Sequence, residues 1–137
     1  MAKKEILCVV FLLVLILIVG CQKEESPKVK VSARLEKNPI KDGENTSLIL
    51  EVKNIGAVEV HGKFEIRPED TEFVQVKYSG EEEFKIISGE SIIKNYQLTG
   101  TTRTIETGVK LTINLIDLNN DTVIYSNEDN VLYIRRE

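Results

Sequence analysis

Asp117, Asn119, Asp121 and Glu128 stand at positions 1, 3, 5 and 12 of a stretch that opens at Asp117. This is the spacing by which a calcium-binding loop brings oxygen ligands onto a hard cation. Two features count against that chemistry. Position 6, where glycine makes the sharp turn, is Thr122, and the flanking segments alternate like strands instead of showing helical periodicity. Asn and Asp suit a hairpin turn equally well; that is the reading adopted, and no metal or cofactor is expected. His61 is the single histidine. It falls between Glu59 and Lys63 on the charged side of its segment, with no second His to build a zinc site and no oriented nucleophile to serve as base for. Glu69, Asp70 and Glu72, and then Glu81 to Glu83, form two acidic runs. Paired carboxylates do acid–base work only where a cleft separates their pKa values, so these read as solvated loops able to accept a basic partner surface. With no phosphate-cradling glycine loop either, the chain is not expected to be an enzyme.

The two cysteines carry a different chemistry. Lys3 and Lys4 precede an apolar run, Ile6 to Val19, which contains Cys8 and closes on Gly20 before Cys21. A basic start, an apolar stretch and a small residue at the cut are the parts of a secretory signal. The junction Ile18-Val19-Gly20-Cys21 resembles the lipobox of bacterial and archaeal lipoproteins. That resemblance implies removal of residues 1–20, attachment of a diacylglyceryl-type lipid to the Cys21 thiol, and a chain held at the cell membrane on its extracytoplasmic side. Length agrees, because Ile6 to Gly20 would make about 22 Å of helix against a hydrocarbon core of about 30 Å. Loss of Cys8 with the signal leaves no second thiol for an internal disulfide, so the exported domain rests on its hydrophobic core.

The elements that would position these residues follow a short tether, 21–28, whose QKEESPK is charged and carries a proline. From residue 29 to 137 the chain reads as one domain of short strands. Val29, Val31, Ala33 and Leu35 alternate with charged or small residues; so do Leu48, Leu50 and Val52; so do Val58, Val60, Gly62, Phe64 and Ile66, closed by Pro68. Val109, Leu111, Ile113 and Leu115 alternate with Lys110, Thr112 and Asn114 in the same way; a weaker strand is predicted over Phe73 to Tyr78, and further strands over Phe84 to Ile87, Ser91 to Leu98, Thr122 to Tyr125 and Val131 to Ile134. Asn38-Pro39, Asp42-Gly43, Asn54-Ile55-Gly56 and Ser88-Gly89 punctuate them. No segment has helical apolar spacing with a cap. The expected fold is all-β: a single antiparallel sandwich of seven or eight strands, each with one wet face. Tyr78, Tyr96, Tyr125, Tyr133 and Phe73 are expected to pack in the core or across strands.

The stretch Asn38-Pro39, Asp42-Gly43-Glu44 and Leu48 to Gly56 is similar to the opening strands of immunoglobulin-like, cell-adhesion-related domains. Ile87-Ser88-Gly89-Glu90-Ser91 resembles the turn those domains place before a middle strand. The resemblance implies an immunoglobulin-like fold and a surface role, not a ligand. The expectation is a lipid-anchored envelope protein whose sandwich binds or positions a protein partner, through an edge strand such as Phe73 to Tyr78. The alternative is an inhibitor of an extracytoplasmic protease or other hydrolase, acting through the turns at Asn38 to Glu44 and Ser79 to Glu83. The net charge of −4 argues against nucleic acid as a partner and against electrostatic adhesion to anionic lipid, so the domain is expected to stand off the bilayer. Sequons at Asn45 and Asn120, both expected in turns, are potential glycosylation sites.

Overall fold

A computed structural model describes residues 26–78 and 80–137; the expected signal, Cys8, Cys21 and residues 21–25 of the tether lie outside the described residues. Among the described residues there are nine strands and no helix. In chain order they are β1 (Val29–Leu35), β2 (Ile40–Lys41), β3 (Asn45–Asn54), β4 (Val60–Pro68), β5 (Val74–Lys77), β6 (Phe84–Ile86), β7 (Ser91–Gly100), β8 (Glu106–Asp117) and β9 (Thr122–Arg135). They form a four-stranded sheet, β1-β3-β7-β5, and a five-stranded sheet, β2-β9-β8-β4-β6. This is the immunoglobulin-like layout of two facing sheets, with β2 and β6 added as short edges of the larger one.

Parity along each strand decides what is buried. Leu48, Leu50 and Val52 of β3, Phe64 and Ile66 of β4, and Leu111, Ile113 and Leu115 of β8 form the interior with Leu98, Leu132 and Ile134. Burying one such side chain contributes about 1.5–3 kcal/mol. Surface pairs such as Arg135 with Glu106 contribute roughly 0–1 kcal/mol, so the apolar faces set the architecture. The buried Asn54 donates through Nδ2 to the carbonyls of Val58 (2.8 Å) and Ile86 (2.9 Å), and its Oδ1 accepts the amide of Gly56 (3.0 Å). One side chain thus fixes the β3–β4 turn against β6.

Two expectations need correction. The sandwich has nine strands, not seven or eight, partly because the punctuating segment after Pro39 contains β2, which pairs in parallel with β9. Two residues are too few to show alternation, and what makes them a strand is a long-range partner. Ile40 is buried there over Gly100, where a Cβ would fall 2.7 Å from Ile134 and 2.8 Å from Ile40; only glycine permits that approach. Asn38 prepares the crossing by donating to the Val131 carbonyl (2.8 Å) and accepting the Tyr133 amide (2.9 Å), so its carboxamide stands in for a strand partner on β9. The second correction concerns Thr122 to Tyr125 and Val131 to Ile134, which are parts of one strand. β9 runs through the polar stretch between them with irregular register against β8, and those polar residues had the composition of a turn.

Candidate functional site

β4 ends at Pro68, and the segment after it turns on Asp70, whose carboxylate accepts the Glu72 amide (2.9 Å) and whose carbonyl accepts the Val74 amide (3.3 Å). The chain thereby crosses to the other sheet and lays β5 against β7. β5 is the terminal strand of the four-stranded sheet, as the weak pattern of Phe73 to Tyr78 led one to expect. The Thr101 amide donates to the Phe73 carbonyl (2.7 Å), which makes Phe73 and Thr101 a hydrogen-bonded pair. Bonded and non-bonded pairs alternate in an antiparallel ladder. Gln75 and Lys77 therefore bond to β7, while Val76 directs its amide and carbonyl away from β7, with no backbone partner for either among the described residues.

The other sheet is open on the same side. β6 covers β4 only at Val60 to Gly62, and beyond it the Tyr78 hydroxyl donates to the Ile66 carbonyl (3.1 Å) and accepts the Ile66 amide (3.2 Å). Tyr78 so bridges the end of β5 to β4, closing the backbone edge that β6 leaves. Behind it lies an aromatic cluster: Tyr78 meets Tyr96 edge-on at 5.7 Å, Phe64 meets Tyr96 at 6.3 Å, and Phe64 meets Phe84 at 5.5 Å. Lys94 sits over Phe84 at 5.7 Å and donates to the Glu81 carbonyl (3.4 Å). Glu81, Glu82 and Glu83 line a surface recess with Lys63 and Gly80, and Glu83 approaches Nε2 of the half-buried His61 at 3.3 Å. The side of the sandwich between β5 and β6 thus combines an unpaired strand edge, an aromatic wall and an acidic lip.

Tyr96 is 3% exposed, and its hydroxyl has no hydrogen-bond partner among the described residues. Burial pushes its phenol up to about 12, with Tyr78 and Glu82 adding to the shift. The unfolded chain would ionise this group near its ordinary value, so the unfolded state loses its proton first as pH rises. The neutral group adds no pH dependence below about pH 10, and roughly 2–3 kcal/mol of stability is expected to be lost between pH 10 and 12. A Tyr96→Phe variant should melt at or slightly above the parent temperature at pH 8, because an unpartnered buried hydroxyl is removed. It should also lose less of its melting temperature at pH 11. A parent and variant that fall in parallel would show that Tyr96 does not carry this dependence.

The remaining sequence-marked residues are scattered. Asp117 is buried at the end of β8 and its carboxylate holds the hairpin, accepting the Asn119 amide (3.1 Å) and Nδ2 of Asn120 (3.0 Å). Asp121 adopts φ 52° in that turn. Glu128 lies six residues along β9 from Thr122, about 20 Å away at the rise of a strand, so the four residues of the calcium spacing do not converge. Among the described residues, no group of three or more His, Cys, Asp or Glu is gathered as a metal site would require. Asn120 is exposed in the hairpin; Asn45, expected in a turn, opens β3 and accepts a hydrogen bond from Thr99 (2.7 Å). The segment Asn38 to Glu44 is tied to β9 and by the Lys37–Glu44 pair, whose hydrogen bond holds the Glu44 carboxyl below its ordinary range. The role of Tyr78 was not readable in advance; its only mark was a tyrosine at the end of a weak strand.

No family model and no curated protein matches the sequence. Solved structures share the fold. A FixG-related protein from Vibrio parahaemolyticus superposes with a TM-score of 0.52 at 13% identity, covering 80% of this chain and 96% of that one. The α2-macroglobulin fragment of Escherichia coli, from domain MG7 to the C-terminus, gives 0.56 at 13% identity, covering 78% of this chain but 17% of the fragment. A CARDB domain from Pyrococcus furiosus, solved with di-metal ions, gives 0.48 at 18% identity over 83% of this chain and 96% of that domain. At 13% identity the first two likenesses establish the β-sandwich fold and nothing about ligands.

Proposed function

We propose that this chain is a lipid-anchored, extracytoplasmic binding module that captures a protein partner by strand addition at β5. The observation that carries the reading is the outward-facing amide and carbonyl of Val76 on a terminal strand. An extended segment laid alongside would gain main-chain hydrogen bonds, with the adjoining Tyr78 and the acidic lip of Glu81 to Glu83 selecting its side chains. The lip favours a basic or polar partner strand. Natural edges are often blunted by shortness and by lysine, and β5 has both; this suits a regulated, specific contact better than open-ended aggregation. The anchor reading rests on Lys3 and Lys4, the apolar run and the Gly20-Cys21 junction.

Val76→Pro tests the proposal. Proline removes the outward amide without removing a bond to β7, so the sandwich should stay folded, with a melting temperature lowered by the lost packing of the half-buried Val76 against the core. Crosslinking in native membranes should then lose the dominant adduct by at least about fivefold. Undiminished capture by a folded Val76→Pro chain would exclude the β5 edge.

A further inference from the structure

The net charge of −4 hides a segregated surface. On the outer face of the four-stranded sheet, β1 contributes Lys30 and Arg34, β3 Lys53 and Glu51, and β5 Lys77, all exposed. Lys28 precedes β1 and continues its ladder, since its carbonyl accepts the amide of Ile55 (3.0 Å). Two acids share this face: Glu51, set beside Lys30, Lys53 and Ser32 in a shallow recess, and the exposed Glu36, which continues β1 at its far end, its amide donating to the Ser47 carbonyl (2.9 Å). Lys30 and Lys53 stand directly opposite each other in the β1–β3 register. Like charges in that position destabilise a sheet, so folding gains nothing from this pair and an external anion would relieve it. Two large apolar side chains are exposed on the same face: Ile93, opposite Glu51 and 63% exposed, and Ile55, opposite Lys28 and 57% exposed.

We propose that this sheet face lies on the anionic headgroup layer of the membrane that the anchor reaches, the lysines of β1 and β3 among lipid phosphates, Ile93 and Ile55 in the interfacial zone, and Lys77 at the β5 edge clear of the bilayer. Cationic side chains bordering apolar ones are what an interfacial surface requires, and each basic residue near an anionic leaflet adds to its attraction. The tether selects this occupant over a soluble polyanion. Gln22 to Lys28 enter β1, the terminal strand of this very sheet, and even fully extended they reach only about 25 Å. A domain so leashed meets the bilayer at high effective concentration, with β1 leading. The inference rests on the lipid-anchor reading, and it replaces a domain standing off the bilayer with one lying against it.

The chain contains no tryptophan, so single introduced tryptophans report depth without background. Full-length Ile93→Trp and Ile105→Trp chains would be reconstituted in vesicles of phosphatidylglycerol and phosphatidylcholine with brominated acyl chains. Ile105 is 84% exposed in the β7–β8 connection, at the end of the sandwich remote from where the tether enters. The Ile93→Trp emission should be quenched at least twofold more than that of Ile105→Trp. The excess should vanish in purely zwitterionic vesicles and on adding Lys30→Glu and Lys53→Glu, while circular dichroism stays that of the parent. Equal quenching at both positions in a chain that co-floats with the vesicles would overturn the docking and leave the anchor standing. Failure to co-float would overturn both. Excess quenching that ignores lipid charge would overturn the role assigned to the lysines.

Discussion

A Phe64→Ala variant is expected to lose about 3–5 kcal/mol of stability, a large share of the 5–15 kcal/mol typical of a domain. Phe64 is almost fully buried on β4 and lies within stacking distance of Phe84 and Tyr96. It therefore joins the inner faces of both sheets at the side where β5 and β6 leave the sandwich least covered. Truncation removes its transfer free energy and leaves a cavity that the surrounding ladders hold open. Denaturant unfolding with an unchanged m-value and a lower midpoint would show the loss. Phe64→Leu, which keeps most of the volume, should cost less than half as much. Near-equal stability of parent and Phe64→Ala would mean that the aromatic cluster is not an integral part of the core, and the β5 side would need to be rebuilt.

The second large effect concerns the membrane. Cys21→Ser removes the thiol to which the lipid would be attached. Each buried methylene contributes roughly 0.8 kcal/mol and two acyl chains hold a protein firmly, so the ratio of detergent-phase to aqueous-phase chain should fall by at least about a hundredfold. The serine differs by one atom, and the sandwich beyond Val29 should keep its melting temperature. A Cys21→Ser chain retained in the detergent phase would contradict the thioether anchor and assign membrane attachment to the apolar run Ile6 to Val19 itself.

The sequence carried the sandwich wherever a strand is long and has one wet face. The alternation of Val60 to Arg67, of Leu48 to Val52 and of Val109 to Leu115 matches their burial residue by residue. The same parity, applied one step further, places Asp117 with Leu111, Ile113 and Leu115 on the inner face, where a carboxylate caps a turn; the cation-loop spacing drew attention away from that simpler signal. β2 and the continuity of β9 were not legible because both depend on partners far along the chain: Ile40 pairs with Ile134, and the polar stretch of β9 is held in place by β8. The edge position of β5 was readable from its weakness, but the bridging role of Tyr78 required knowing that β4 runs past the end of β6. Summed charge concealed the basic sheet face, because sign is segregated by strand parity and pairing, which a total does not record.

The proposed protein is an anchored sandwich that engages a partner at its β5 side. The most direct test is amine crosslinking of the full-length protein in native membranes, followed by peptide mass spectrometry. Lys77 on β5 and Lys85 on β6 are both exposed and flank the proposed edge. The prediction is a Cys21 peptide carrying a diacylglyceryl-sized addition, together with crosslinks from Lys77 or Lys85 to one dominant protein. An unmodified Cys21 peptide, or crosslinks spread over many proteins with none reproducible at Lys77 or Lys85, would contradict it.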